Sequence, residues 1–125
     1  MYKKFKLTIM SIAICCFAGS CKHETKFYSL PPVSYSLDIA PIINANCTFS
    51  GCHGDTNSQR FKLLDYNGIV SNCGVKNTKP EDSKLFKVIT SFDEKTVMPK
   101  APYATLTEKQ IQFIYIWIGQ GAIDN

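Results

Sequence analysis

The sequence predicts an all-α domain of about three to five short helices separated by long loops. Three observations carry this. Apolar residues recur at helical spacing: Leu85, Val88, Ile89 and Phe92 stand at i, i+3, i+4 and i+7, and Ile111, Ile114, Tyr115 and Ile118 repeat the same pattern. Capping residues precede such segments, with Asp38 before Pro41, Asp65 before Tyr66, and Thr107 with Gln110 as a capping box. Gly51, Gly54, Gly74, Pro80, Pro99 and Pro102, which punctuate helices, fall in the stretches between them. A chain of 125 residues has room for one hydrophobic core.

In chain order, SLDIAPIINANC reads as a helix capped by Asp38, with Ile39, Ile42 and Ile43 on one face and Cys47 one turn further along it. CTFSGCHGDTNSQR is a loop, FKLL a short extended piece, and DYNGIV a helical turn from Asp65. After the loop SNCGVKNTKPEDS comes a two-turn helix in SKLFKVITSF, and then an irregular segment that holds Met98 and is broken by Pro99 and Pro102. The last helix, from Thr107 to glycines at 119 and 121, is apolar on most sides and is expected to be largely buried, with those glycines as C-caps.

Residues 1–20 are a separate object. Lys3, Lys4 and Lys6 precede the apolar run Leu7–Ala18, and Ala18, Gly19 and Ser20 lead to Cys21. At ~1.5 Å per residue that run reaches roughly 18 Å, short of the ~30 Å hydrocarbon core, so it is expected to be a cleaved signal peptide rather than a span. Small residues before Cys21 resemble a bacterial lipobox, with Ala18 where leucine is usual. The resemblance implies lipidation of Cys21 and export to the periplasmic or outer-membrane face, with plain secretion after cleavage nearby as the alternative. The polar, then proline-bearing stretch up to Pro31-Pro32 reads as a flexible tether over 21–33, with a domain over 34–125. Lys3, Lys4 and Lys6 also carry three of the four net positive charges. The remaining +1, with no basic run, argues against a nucleic-acid surface.

Of six cysteines, Cys47, Cys52 and Cys73 stay in the domain, Met98 is the one methionine after the signal, and His53 and His23 are the two histidines. Cys47-x4-Cys52-His53 admits three chemistries. Exported chains are oxidised, so a Cys47–Cys52 disulfide is open. A zinc site would recruit Cys73 as a fourth ligand beside Cys47, Cys52 and His53, although adjacent Cys52 and His53 fit one tetrahedral ion poorly. Haem attachment needs two thiols for the two vinyl groups and an imidazole for the iron, normally as C-x-x-C-H. Met98, in a loop stiffened by Pro99 and Pro102, is placed unlike core filler and suits a sixth iron ligand.

The ordered pieces YSLDIAPIINANC, CTFSGCHG, LLDYNGIV, DSKLFKVI, MP and LTEKQIQFIYIWIGQGA, spanning 35–123, resemble small bacterial c-type cytochromes, exported and often lipidated. The four-residue gap resembles a widened form of the haem-attachment motif. The resemblance implies one covalent haem c on Cys47 and Cys52, with His53 and Met98 as axial ligands. It implies an electron carrier rather than an enzyme, serving redox partner proteins in the periplasm or membrane. No Ser/His/Asp or paired-carboxylate constellation stands against that. The resemblance leaves Cys73 unexplained. A disulfide-stabilised envelope lipoprotein, or a haem enzyme or sensor lacking the Met98 ligand, are the competing expectations. Aromatics such as Phe49, Tyr103, Tyr115 and Trp117 are candidates to wall the haem, and Lys62, Lys76, Lys79, Lys84, Lys87 and Lys100 to form a docking rim.

Overall fold

The computed structural model describes residues 27–54 and 61–125, so the expected signal peptide, the expected lipidation site Cys21 and the start of the expected tether lie outside the described residues. Within them the chain is all-α, with no strand. A π-helical turn, Tyr35–Ile39, runs into α1, Ala40–Cys47. Then come α2 (Tyr66–Asn72), a 3-10 turn (Pro80–Asp82), α3 (Lys84–Ile89) and α4 (Glu108–Gly119).

The first helix starts one turn earlier than Asp38 as N-cap predicts. Ser34 is the cap: its hydroxyl accepts from Leu37 N–H, while Asp38 reaches back to accept from Ser34 N–H at 2.9 Å. Starting there puts Pro41 inside the helix, where it removes a backbone donor and crowds the carbonyl four residues back. The wide turn absorbs this, with Ala40 N–H donating to Tyr35 C=O and Ile39 N–H to Ser34 C=O.

Asp65 caps α2 by accepting from Gly68 N–H at 2.7 Å. α3 ends at Ile89, sooner than the Leu85-to-Phe92 stripe predicts. The Thr90 hydroxyl donates to Phe86 C=O, and Met98 N–H takes the Val88 carbonyl. Leu85 and Ile89 are buried, but Phe92 lies beyond the helix and is fully exposed. In α4 both capping-box bonds form, Thr107 N–H to Gln110 Oε1 and Gln110 N–H to Thr107 Oγ1. Its far end is a Schellman motif: Ala122 N–H donates to Trp117 C=O and Gly121 N–H to Ile118 C=O, with Gly121 at φ +104°. Gly119 is not a cap. It is the last helical residue, and a Cβ there would sit 2.3 Å from the Phe27 ring.

α4 packs against the Tyr35–Ile39 turn, α3 and the 3-10 turn. Ile39, Ile43, Ile69, Ile114, Trp117 and Ile118 are sealed from solvent at the centre. Tyr35 and Tyr66 lie against Trp117 with ring centroids 6.0 and 6.4 Å away, and Trp117 Nε1 donates to Ile123 C=O. Residues 27–33, read from sequence as tether, are held down along this body. Phe27 and Val33 are buried, and the Gln120 amide accepts from Val33 N–H and donates to the carbonyls of Phe27 and Pro31.

Candidate functional site

α1 delivers Cys47 as its last residue, and the next seven residues fold back on that helix end. Thr48 Oγ1 donates to Asn44 C=O, Cys52 N–H to Phe49 C=O, and His53 N–H to Cys47 C=O at 3.2 Å. The four residues between the cysteines are thus a closed turn, with Gly51 at φ +79° supplying a conformation that other residues adopt rarely. The loop is tightest at Gly54, where a Cβ would lie 2.0 Å from Thr48 C=O. Backbone has to move to admit one. Gly54→Ala is expected to cost more than 1 kcal/mol, about the scale of strained backbone, and to loosen the loop. Urea unfolding of the variant checks this, and an unchanged midpoint would show that the loop tolerates the shift.

His53 is fixed by residues that follow the loop. Its Nδ1 lies 2.9 Å from Phe61 C=O, and its ring stacks on Phe61 with centroids 4.6 Å apart. A carbonyl can only accept, so Nδ1 is the donor, and in the neutral ring this leaves Nε2 with the lone pair, the arrangement that prepares an imidazole for a metal. Leu63 N–H donates to His53 C=O at 2.9 Å, tying the two segments together. Met98 arrives from the other side of the sequence, its backbone anchored by the bond to Val88 C=O.

Two cavities adjoin these residues, of about 360 and 240 Å³. Cys47, His53 and Met98 line both, so imidazole and thioether face common space. Cys52 lines the larger, whose wall includes Phe49 and Tyr103 stacked at 4.3 Å. The smaller is apolar, with Leu63, Leu85, Val88 and Ile89, and also takes in Cys73. Trp117 and Tyr115 line neither: they belong to the core and to the packing under Phe27. Of the lysines expected at a rim, Lys100 and Lys84 reach the cavities. Lys95, which sequence reasoning passed over, lines both.

Cys47, Cys52 and Cys73 are free thiols. Burial pushes the Cys47 thiol up to about 12, helped by the neighbouring Cys73 and then Cys52. Burial likewise lifts Cys73 to about 11, opposed by the Lys84 charge. Among the described residues no three His, Cys, Asp or Glu side chains gather as a metal site, which speaks against the four-ligand zinc arrangement. Both thiols bind protons more tightly folded than unfolded, where the ordinary value is ~8.5. Stability with these thiols free is therefore whole below pH ~8.5 and lost as pH rises toward the folded values. A urea midpoint that falls between pH 8 and 10.5, and falls less in Cys73→Ala, is the expected result. At pH 8 iodoacetamide should also modify both at least about ten-fold more slowly in the folded chain than in urea.

The role of Phe61 was not legible in sequence, because its carbonyl meets His53 only through the fold. The presence of Cys73 in the second cavity had one weak signal, its position at the end of the helix that Asp65 starts. No family model matches this chain, and neither a curated protein nor a solved structure was found to be similar to it.

Proposed function

We propose that this protein is an exported mono-haem c-type cytochrome, anchored by lipid on Cys21, that carries single electrons between partner proteins of a bacterial envelope. Cys47 and Cys52 would hold the haem by thioethers, His53 and Met98 would be its axial ligands, and the protein would catalyse no bond chemistry of its own. One observation carries the reading: His53, with Nε2 left bare by the Nδ1 bond to Phe61, shares both cavities with Met98 and with Cys47.

The residues present suit such a group. Two free thiols are available for addition to vinyl carbons, and Cys47, its own thiol pushed up by burial, is held at a helix end where its carbonyl accepts from His53 N–H. When bound, a haem supplies a one-electron ferric/ferrous couple. The chain's contribution is positional. The Phe61 carbonyl orients and enriches the His53 imidazole, a second partner of the kind that tunes a ligand. Pro99 and Pro102 stiffen the segment that follows Met98, and a thioether ligand raises the potential. Leu63, Leu85, Val88 and Ile89 make one wall apolar, which favours the less charged ferrous state.

A haem enzyme or sensor would keep an open iron position, and a disulfide-stabilised lipoprotein would carry no haem. Chain made in its native host and reduced with dithionite separates these. A narrow low-spin spectrum that carbon monoxide leaves unchanged is expected. A carbon monoxide shift would assign the site to gas binding or catalysis, and a colourless protein would remove the haem reading.

A further inference from the structure

We infer that the face formed by Tyr28, Leu30 and Ile123 rests on a phospholipid bilayer and turns the Cys47–His53 site away from the membrane. The inference rests on lipidation of Cys21 and adds what the domain does once tethered.

Four observations carry it. First, the leash is short. Six Cα steps separate Cys21 from Phe27, a reach of at most ~22 Å for a fully extended chain. From Phe27 onward the segment is not free to extend, because Gln120 binds its carbonyls at Phe27 and Pro31 and its amide at Val33, and the Phe27 ring fills the notch at Gly119.

Second, apolar side chains collect where that leash enters. Tyr28, Leu30 and Ile123 are 57%, 39% and 57% exposed and surround one hollow of about 200 Å³ floored by Val33 and Trp117. Leu37 is 79% exposed and follows Ser36, whose N–H and hydroxyl both hold Asn125 C=O beside Ile123. Third, the contact has little to gain from charge. Asp124 is exposed next to Ile123 and offers nothing to anionic headgroups, so the attraction is apolar.

Fourth, the candidate site lies at the other end of the same rod. Tyr35 N–H donates to Asn125 Oδ1 at the start of the helical run, and Cys47 ends that run 12 residues on. At the α-helical rise this is roughly 18 Å. A domain seated on Tyr28, Leu30 and Ile123 therefore holds its cavities toward the aqueous side. A partner dissolved in the periplasm, or another envelope protein reaching over the membrane, meets them there.

Photo-crosslinking tests this. Full chain from the native host is reconstituted into vesicles of phosphatidylethanolamine and phosphatidylglycerol doped with a phospholipid carrying a diazirine near the headgroup end of its acyl chain. Adducts are mapped by peptide after irradiation. Phe92, the most exposed apolar side chain among the described residues and remote in sequence from residues 27–33, is the internal control. Adducts on the peptides covering 27–33 and 121–125 should exceed those on the Phe92 peptide at least about five-fold, and should persist in 0.5 M salt, a test concentration that screens charge contacts. Leu30→Glu with Ile123→Glu should remove most of them while the thermal midpoint holds.

Even labelling, or stronger labelling at Phe92, would overturn the inference. So would crosslinks joining two copies through Leu30, which would give the face to a second chain. The N-terminal peptide separates the two levels of failure. An acylated Cys21 with no adducts at 27–33 sinks the face alone, whereas an unacylated one removes the anchor and the face with it.

Discussion

On the proposed reading, Cys47→Ser with Cys52→Ser should leave no covalently held haem, and either single serine, left with one tether, should lower the yield of attached haem. This is the largest effect expected of any substitution in the chain. Each thiol would make one of two thioether bonds, so a single serine would leave one tether and the pair would leave His53 and Met98 to hold the group unaided. Axial ligation does not survive denaturation, so haem peroxidase staining on a denaturing gel reads the covalent bonds alone. Staining at background in the double variant, and lowered in each single one, is the expected pattern. Cys73→Ser should stain like the parent, although Cys73 lines the smaller cavity beside Cys47. If Cys73→Ser lost the stain and Cys52→Ser kept it, the attachment pair would be Cys47 and Cys73. The loop between Cys47 and Cys52 would then be only a turn.

Met98→Ala is the second large effect. Met98 faces both cavities opposite no competing soft ligand except the thiols. Its removal should open the sixth position, shift the spectrum toward high spin and admit carbon monoxide. The reduction potential should fall by on the order of 100 mV, within the roughly 0.8 V that axial ligands command. Fold should be kept, since Met98 is only half-buried and its backbone bond to Val88 does not depend on the side chain. Met98→His gives the sharper control: low spin should return with the potential still low. A spectrum indifferent to both changes would move the sixth ligand elsewhere and leave Met98 as packing.

What could be read in the sequence was local. The α4 capping box, the Asp65 cap and the Leu85–Ile89 face follow from residues three or four apart, and the structure has all of them. So does the α1 stripe, with Ile39 and Ile43 sealed and Cys47 at its end. What misled was also local. Asp38 has the chemistry of an N-cap, but its carboxylate turned back to Ser34 N–H, and a π turn carried the helix past Pro41. Phe92 completes a helical period that Thr90 and Met98 had already cut short by taking the carbonyls of Phe86 and Val88.

Long-range partners were out of reach altogether. Gln120 binds a segment about 90 residues away in sequence, and no periodicity announces that. Trp117 reads as a possible wall for a cofactor because it is aromatic and late in the chain, yet it sits against Tyr35 and Tyr66 in the core. For the site itself, the residue types in CTFSGCHG and MP suggested the chemistry proposed here, whereas the juxtaposition of His53 with Phe61, and of Cys73 with Cys47, belongs to tertiary structure.

The most direct test of the central claim is the mass of the native-host protein, intact and then by peptide. The account predicts one haem added to the polypeptide and retained through denaturation on the peptide that runs from Cys47 to His53. A colourless chain two protons lighter than its free-thiol mass, with Cys47 joined to Cys52 or Cys73, would contradict it.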